Sequence, residues 1–229
     1  LGFDLVRPFF ILDGIYLSTD EARTLGDFHM ETSQFDLTEL ISNLGYSPIL
    51  VLFSETVLRP LTSNALYFTE LLHLINQESV FSFPNKQEDG MIVFGISQGG
   101  VLGLYGAYQY DITRMPNESP IRIYGSLDSP HQGAVMPVGL FYTINFWATT
   151  GGSADAAAFA DLISGPGSSE LLVFKADDDS LPANKKTYAK NTSSQRFLYG
   201  EYRKALEHKN FPKILISQGQ MKGISPTHG

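Results

Sequence analysis

The chain contains no cysteine. Disulfides, thiolate-held metals and cysteine nucleophiles are therefore excluded, although the absence does not settle the compartment. It has no run of Lys or Arg, and its 16 basic residues face 24 acidic ones, for a net charge of −8. Phosphate backbones are bound by clustered basic side chains, so nucleic acid is not an expected partner. No polybasic segment suits an anionic membrane surface either. Uninterrupted apolar runs of membrane-spanning length are lacking, and no integral membrane segment is expected. Internal repeats and low-complexity tracts are also missing. The sequence opens on Leu1, with neither an initiator Met nor a signal-peptide pattern, and reads as a processed or trimmed piece of a longer protein.

What is present is an ordinary globular composition. The 229 residues are 43% hydrophobic and 17% charged, enough for one sizeable core with a modest insertion. Short apolar runs bounded by turn residues recur as "RPFFILDG" (7–14), "SPILVLF" (47–53), "GMIVFG" (90–95), "IRIYGSL" (121–127) and "KILISQG" (213–219). Their length and aromatic or β-branched content predict buried strands. Helical segments lie between them. "DLTELISNLG" (36–45) starts on Asp36 with Glu39 three residues on, a variant capping box, and stops at Gly45. In 61–76, Leu61, Ala65, Phe68, Leu72 and Ile75 recur at helical spacing, and a further helix spans 98–110.

Alternating strands and helices with continuously apolar strands predict an α/β fold. The sheet is mostly parallel with helices on both faces. The expected division is a core over 1–132, an inserted cap of short helices over 133–212, and a return to the core sheet over 213–229. The cap is inferred because 133–212 mixes large apolar residues with Gly, Ala and Ser and is too long for a simple connection. Ligands of such sheets sit beyond the carboxyl ends of the strands. Asp13-Gly14, Ser97 and Asp128 all fall just past those ends.

The most informative stretch is "VFGISQGGVLGLYG" (93–106): a buried strand, then Gly-x-Ser-x-Gly, then a helix. Gly and Ser are common here, and a bare match of that pattern occurs by chance. In the strand–turn–helix context it reads as a nucleophile elbow. The tight turn would strain Ser97 and stand its hydroxyl at the helix N-terminus. There the dipole and the backbone N–H of Gln98 would stabilise a developing oxyanion.

"GISQGG" (95–100) and "SLDSPHQGA" (126–134) together resemble the α/β-hydrolase superfamily, especially bacterial lipase- and esterase-like proteins related to the GPI inositol-deacylase group. The likeness covers roughly residues 8–140. It implies hydrolysis of an ester or lipid ester by a Ser–acid–His triad in that chain order. In the superfamily's count "RPFFILDG" would be the third strand, the first two being missing or truncated. Where relatives commonly carry His-Gly after that strand, this chain has Asp13-Gly14. The backbone N–H of Ile15 is then the second expected oxyanion donor, with a plain turn as the alternative reading.

Asp128 is the candidate acid, because some lipases of the superfamily take it from this strand end. Its other reading is a loop cap. His131 lies in the same turn and reads as structural; His73 and His208 read as surface residues. His228 follows the fifth strand, one strand early for the superfamily's base, so the catalytic histidine is expected beyond this chain, with His228 a weak candidate.

No cofactor or metal is required. Asp177, Asp178 and Asp179 could suggest calcium, but three adjacent carboxylates read better as a solvated loop. The sequons at Asn117 and Asn191 are common by chance. Phe141, Tyr142, Phe146 and Trp147 could line an acyl pocket or form the cap's own core.

The expected function is thus a serine hydrolase acting on a carboxylic ester, a small-molecule or lipid ester, through an acyl-enzyme intermediate. An acyltransferase or thioesterase on the same site, or a non-catalytic binding protein on this scaffold, is the alternative.

Overall fold

In the computed structural model, the described residues are 5–14, 29, 37–53, 59–77, 90–115, 119–176, 188–190 and 196–217. In chain order the elements are β1 (Pro8–Leu12), α1 (Leu37–Asn43), β2 (Ser47–Val51), α2 (Leu61–Gln77), β3 (Met91–Ile96), α3 (Gln98–Arg114), β4 (Ile121–Leu127), α4 (Val138–Thr149), α5 (Ala154–Ser164), α6 (Pro166–Leu171), β5 (Phe174–Ala176), β6 (Tyr188–Lys190), a π-helical turn (Phe197–Glu201), α7 (Tyr202–Glu207) and β7 (Lys213–Ile216).

Five strands form one sheet in the order β2-β1-β3-β4-β7, and every neighbouring pair is parallel. The fold is α/β with the sheet flanked by helices on both faces. Alternation along β1 shows why. Phe10 and Leu12 point into the main core with α2 and α3, while Phe9 and Ile11 point to the opposite face, where Ile41 of α1 meets them. In α2 the five residues at helical spacing, Leu61, Ala65, Phe68, Leu72 and Ile75, are all buried. Gly45 stops α1 as its sequence predicts: its φ is +80°, its N–H donates to Ser42 O (2.9 Å), and the Tyr46 N–H donates to Ile41 O (3.1 Å). That pair of bonds satisfies two carbonyls the helix end would leave open. Asp36, the expected cap, lies outside the described residues.

The stretch after 133 departs from an all-helical cap. Beside α4, α5 and α6 it carries β5 and β6, a short antiparallel pair. Ser153 caps α5 by accepting the Ala156 N–H at 3.2 Å. β7 then lies at the sheet edge beside β4, with Ile214, Leu215 and Ile216 about half exposed. β1 and β3 are adjacent, and β4 borders β3, so the chain leaves three neighbouring strands on one rim of the sheet. Asp13-Gly14, Ser97 and Asp128 follow those three strands.

Candidate active site

Ser97 is the single residue between β3 and α3. Its backbone is left-handed at φ 52°, ψ −125°, a strained conformation for a residue with a Cβ. Such a residue costs about 1–3 kcal/mol and persists only where its surroundings over-determine it. Here they do. The Ser97 N–H donates to Leu127 O at 2.9 Å, tying the turn to the end of β4, and the Gly100 N–H donates to Ser97 O at 3.1 Å. The serine side chain makes no capping bond to its own helix and is half-buried.

The flanking glycines follow from close approach of backbone. A Cβ on Gly95 would fall 2.4 Å from Gly100 Cα, and one on Gly99 would fall 2.2 Å from Asp13 O. Neither backbone can yield, so the turn admits no side chain at position 95 or 99. Sequence reasoning missed the second glycine of the pair. A Cβ on Gly100 would lie 1.9 Å from Ser129 Oγ, so Gly100 makes room for the turn that follows β4. The repeated glycine in "GISQGG" was the available signal.

The end of β1 supplies the facing wall. A Cβ on Gly14 would sit 3.0 Å from Ser97 Cβ and 3.6 Å from Ser97 Oγ. Asp13 is buried, and its Oδ1 accepts the Gly14 N–H at 2.8 Å. That N–H is therefore already engaged. Ile15, expected to offer the second oxyanion donor, lies outside the described residues. Gln98, expected to offer the first, begins α3, where the leading N–H groups have no partner within the helix. Its side chain is buried, and Oε1 has no hydrogen-bond partner among the described residues.

Asp128 stands one residue past Leu127, whose carbonyl holds Ser97. It is exposed, left-handed at φ 49°, and its N–H donates to Ile216 O at 2.8 Å. Ser97 and Asp128 thus occupy neighbouring strand ends, both in strained backbone.

His131 is held at both ring nitrogens. Nε2 is hydrogen-bonded to Ser126 Oγ at 2.7 Å and Nδ1 to the Tyr202 hydroxyl at 2.5 Å. Burial lowers its pKa to about 4, so the ring is neutral at pH 7. The same burial pushes the Tyr124 and Tyr202 hydroxyls well up.

His208 is not the exposed helix residue that the sequence suggests. It follows α7, its side chain is only 15% exposed, and its Nε2 is hydrogen-bonded at 2.5 Å to Oδ2 of the fully buried Asp111. The Asn210 amide donates to the same oxygen at 2.7 Å. Asp111 lies 14 residues along α3 from Ser97, about 20 Å away at 1.5 Å per residue. His73 is half-buried against the Tyr110 ring rather than fully at the surface. His228 lies outside the described residues.

Among the described residues no cluster of His, Asp or Glu could hold a metal ion. Asp177–Asp179 and both sequon asparagines lie outside the described residues. No helix among them is long and apolar enough to cross a membrane. In α4, Ile144 is the buried residue, whereas Phe146 and Trp147 are each about half exposed. A groove of about 340 Å³ is lined by His131 and Gln132 on one side and by residues of 198–207, Arg203 and Glu207 among them; Ser97 does not line it.

No protein-family model matches the chain. No curated protein matches it either. Among solved structures it is similar to a protein of Legionella pneumophila subsp. pneumophila str. Philadelphia 1 named as a "putative hydrolase", at 12% identity and a TM-score of 0.37, over 94% of this chain and 66% of that one. The chain thus spans slightly less than two thirds of that protein's length.

Proposed function

We propose that the protein is a serine hydrolase that cleaves a carboxylic ester, a lipid or other acyl ester, through an acyl-enzyme intermediate. The observation that carries this reading is the backbone of Ser97. A non-glycine residue at φ 52° joins a buried strand to a helix, with no room for a Cβ on Gly95 or Gly99. Strain of this kind together with that clearance is what a nucleophile presented at a strand end requires.

In the proposed reaction Ser97 Oγ attacks the ester carbonyl. Its proton passes to a base, and the carbonyl oxygen becomes an oxyanion held by the backbone N–H groups of Gln98 and Ile15. Collapse expels the alcohol, which takes the proton back, and leaves the acyl-enzyme. Water then repeats the sequence and frees the acid. Asp128 would orient the base and stabilise its charged form. The base is neither His131, whose ring nitrogens are both bonded, nor His208, which is tied to Asp111 about 20 Å along α3. His228 is the remaining histidine after Ser97 in this sequence.

A fluorophosphonate probe tests the reading. It should modify Ser97 in the intact protein, and Ser97→Ala should remove both labelling and p-nitrophenyl ester turnover, the latter by roughly 10⁴-fold. A wild-type protein that binds acyl esters but never labels at Ser97 would favour the non-catalytic scaffold instead.

A further inference from the structure

The turn that carries Asp128 is fastened by one side chain in particular. Tyr124 and Ser126 lie two residues apart on β4 and share the face toward α3. The Tyr124 hydroxyl donates to Gly100 O at 2.5 Å, reaching the first turn of the nucleophile helix. Ser126 Oγ is bonded to His131, and His131 in turn to Tyr202 at the start of α7. The His131 and Tyr202 rings lie nearly coplanar, with planes 5° apart and centroids 6.1 Å apart, joined edge to edge by that bond, and the Tyr124 ring meets His131 edge-on. Within the turn, the His131 N–H donates to Ser129 O and the Gly133 N–H to Pro130 O. Ser129 is the residue that a Cβ on Gly100 would strike.

We propose that His131 is a positioning residue for the reaction at Ser97: it clamps the turn of residues 128–133 between β4 and α7, and so fixes Asp128 beside the nucleophile turn. This rests on the hydrolase reading above. Asp128 is left-handed, and the backbone would relax if nothing held it. The Ser97 N–H donates to the residue just before Asp128, so relaxation at Asp128 is felt at the nucleophile. The imidazole suits the place chemically. A neutral ring offers one donor and one acceptor, which two hydroxyls can match from opposite sides, and burial keeps this ring neutral. Because Tyr202 lies late in the long stretch of 133–212, the clamp also joins that stretch to the rim of the sheet.

The test compares His131→Phe, His131→Gln and Tyr202→Phe in the intact chain. His131→Phe keeps an aromatic ring and loses both hydrogen bonds; Tyr202→Phe keeps the packing of the ring and loses one; His131→Gln restores a donor and an acceptor. With a p-nitrophenyl ester, His131→Phe should lower kcat roughly 10- to 100-fold while KM stays within about twofold, the scale expected when a group near the chemistry is misplaced by less than about 1 Å. Tyr202→Phe should move kcat the same way by less, and the two losses should not add, because they break one clamp. His131→Gln should recover part of kcat. The midpoint of the ascending pH limb should stay where it is in the wild type.

A folded His131→Phe protein with wild-type kcat overturns the proposal. So does loss of the ascending limb, which would make His131 the base itself. Where His131→Phe fails to fold, Tyr202→Phe decides: full-speed turnover sinks the clamp. A wild type that neither labels at Ser97 nor turns over any ester fails differently, since it overturns the hydrolase reading and the clamp with it.

Discussion

His131 should make the protein acid-sensitive in a defined window. Its ordinary pKa is 6.5, and burial in the fold lowers it to about 4. Below pH 6.5 the unfolded chain binds a proton at this site that the folded protein refuses. The unfolded state then holds more protons, so stability falls with falling pH. The loss begins near pH 6.5, runs down to about 4, and levels off below. Its ceiling is 2.5 units at about 1.36 kcal/mol each, or about 3.4 kcal/mol, and partial exposure of the ring trims this to about 2–3 kcal/mol. The titratable groups in contact with the ring are the Tyr124 and Tyr202 hydroxyls, both pushed upward by burial and therefore uncharged throughout this window, while Arg203 and Glu207, paired with each other at 2.7 Å, line the groove beside it. The assay is urea unfolding of wild type and His131→Gln at pH 7.5 and pH 4.5. Every other group contributes equally to both proteins. The wild type should lose about 2 kcal/mol more than the variant between the two pH values. Curves that fall in parallel, within about 0.5 kcal/mol, would refute the reasoning and mean that the ring protonates in place.

Gly14→Ala should place a methyl 3.6 Å from Ser97 Oγ, where an attacked carbonyl needs to approach to about 3–3.5 Å; ester turnover should drop by roughly 10²-fold with a melting-temperature loss of only a few degrees. Asp128→Asn separates two roles: as the triad acid it should cut kcat by about 10⁴ with a retained melting temperature, and as a loop cap it should do the reverse, so both are measured on one protein. His208→Ala strips the buried Asp111 carboxylate of one of its two partners and should cost about 3 kcal/mol in denaturant unfolding. Its specific activity under native conditions should be unchanged, because the pair lies about 20 Å along α3 from Ser97.

Much of the fold is written locally in the sequence. The strands are apolar runs ended by Asp, Gly or Ser, the face of α2 is a helical spacing, and the stop of α1 is a glycine whose left-handed backbone other residues resist. Strand–Ser97–helix is legible for the same reason: its cause lies within a dozen residues. What could not be read is long-range. His208 looks exposed because its own neighbours are polar, and the carboxylate that buries it is 97 positions away. His131 could be placed in a turn but not paired with Tyr202, 71 positions on. The β5–β6 pair was missed because three-residue strands give too short a pattern to register. The order of strands, with β1 between β2 and β3, depends on loop closures that leave no periodic mark.

Backbone strain alone does not pick out the site. Three described residues other than glycine have positive φ: Arg7, Ser97 and Asp128. Arg7 precedes β1, at the opposite end of the sheet, where its carbonyl accepts the Ser47 N–H at 3.2 Å and its guanidinium lies over the Tyr46 ring. No glycine is pressed against it among the described residues. Ser97 and Asp128 differ in being coupled. The N–H of one donates to the carbonyl just before the other, and Gly14, Gly95, Gly99 and Gly100 clear the space around them. A strained residue that merely turns a chain needs no such clearance, because its side chain can face solvent. One that presents an oxygen in the tight turn between a parallel strand and a helix needs glycine where backbones cross closely, as at Gly95 and Gly99. That conjunction, rather than the φ of either residue, is what supports placing the proposed chemistry at the carboxyl rim between β1, β3 and β4.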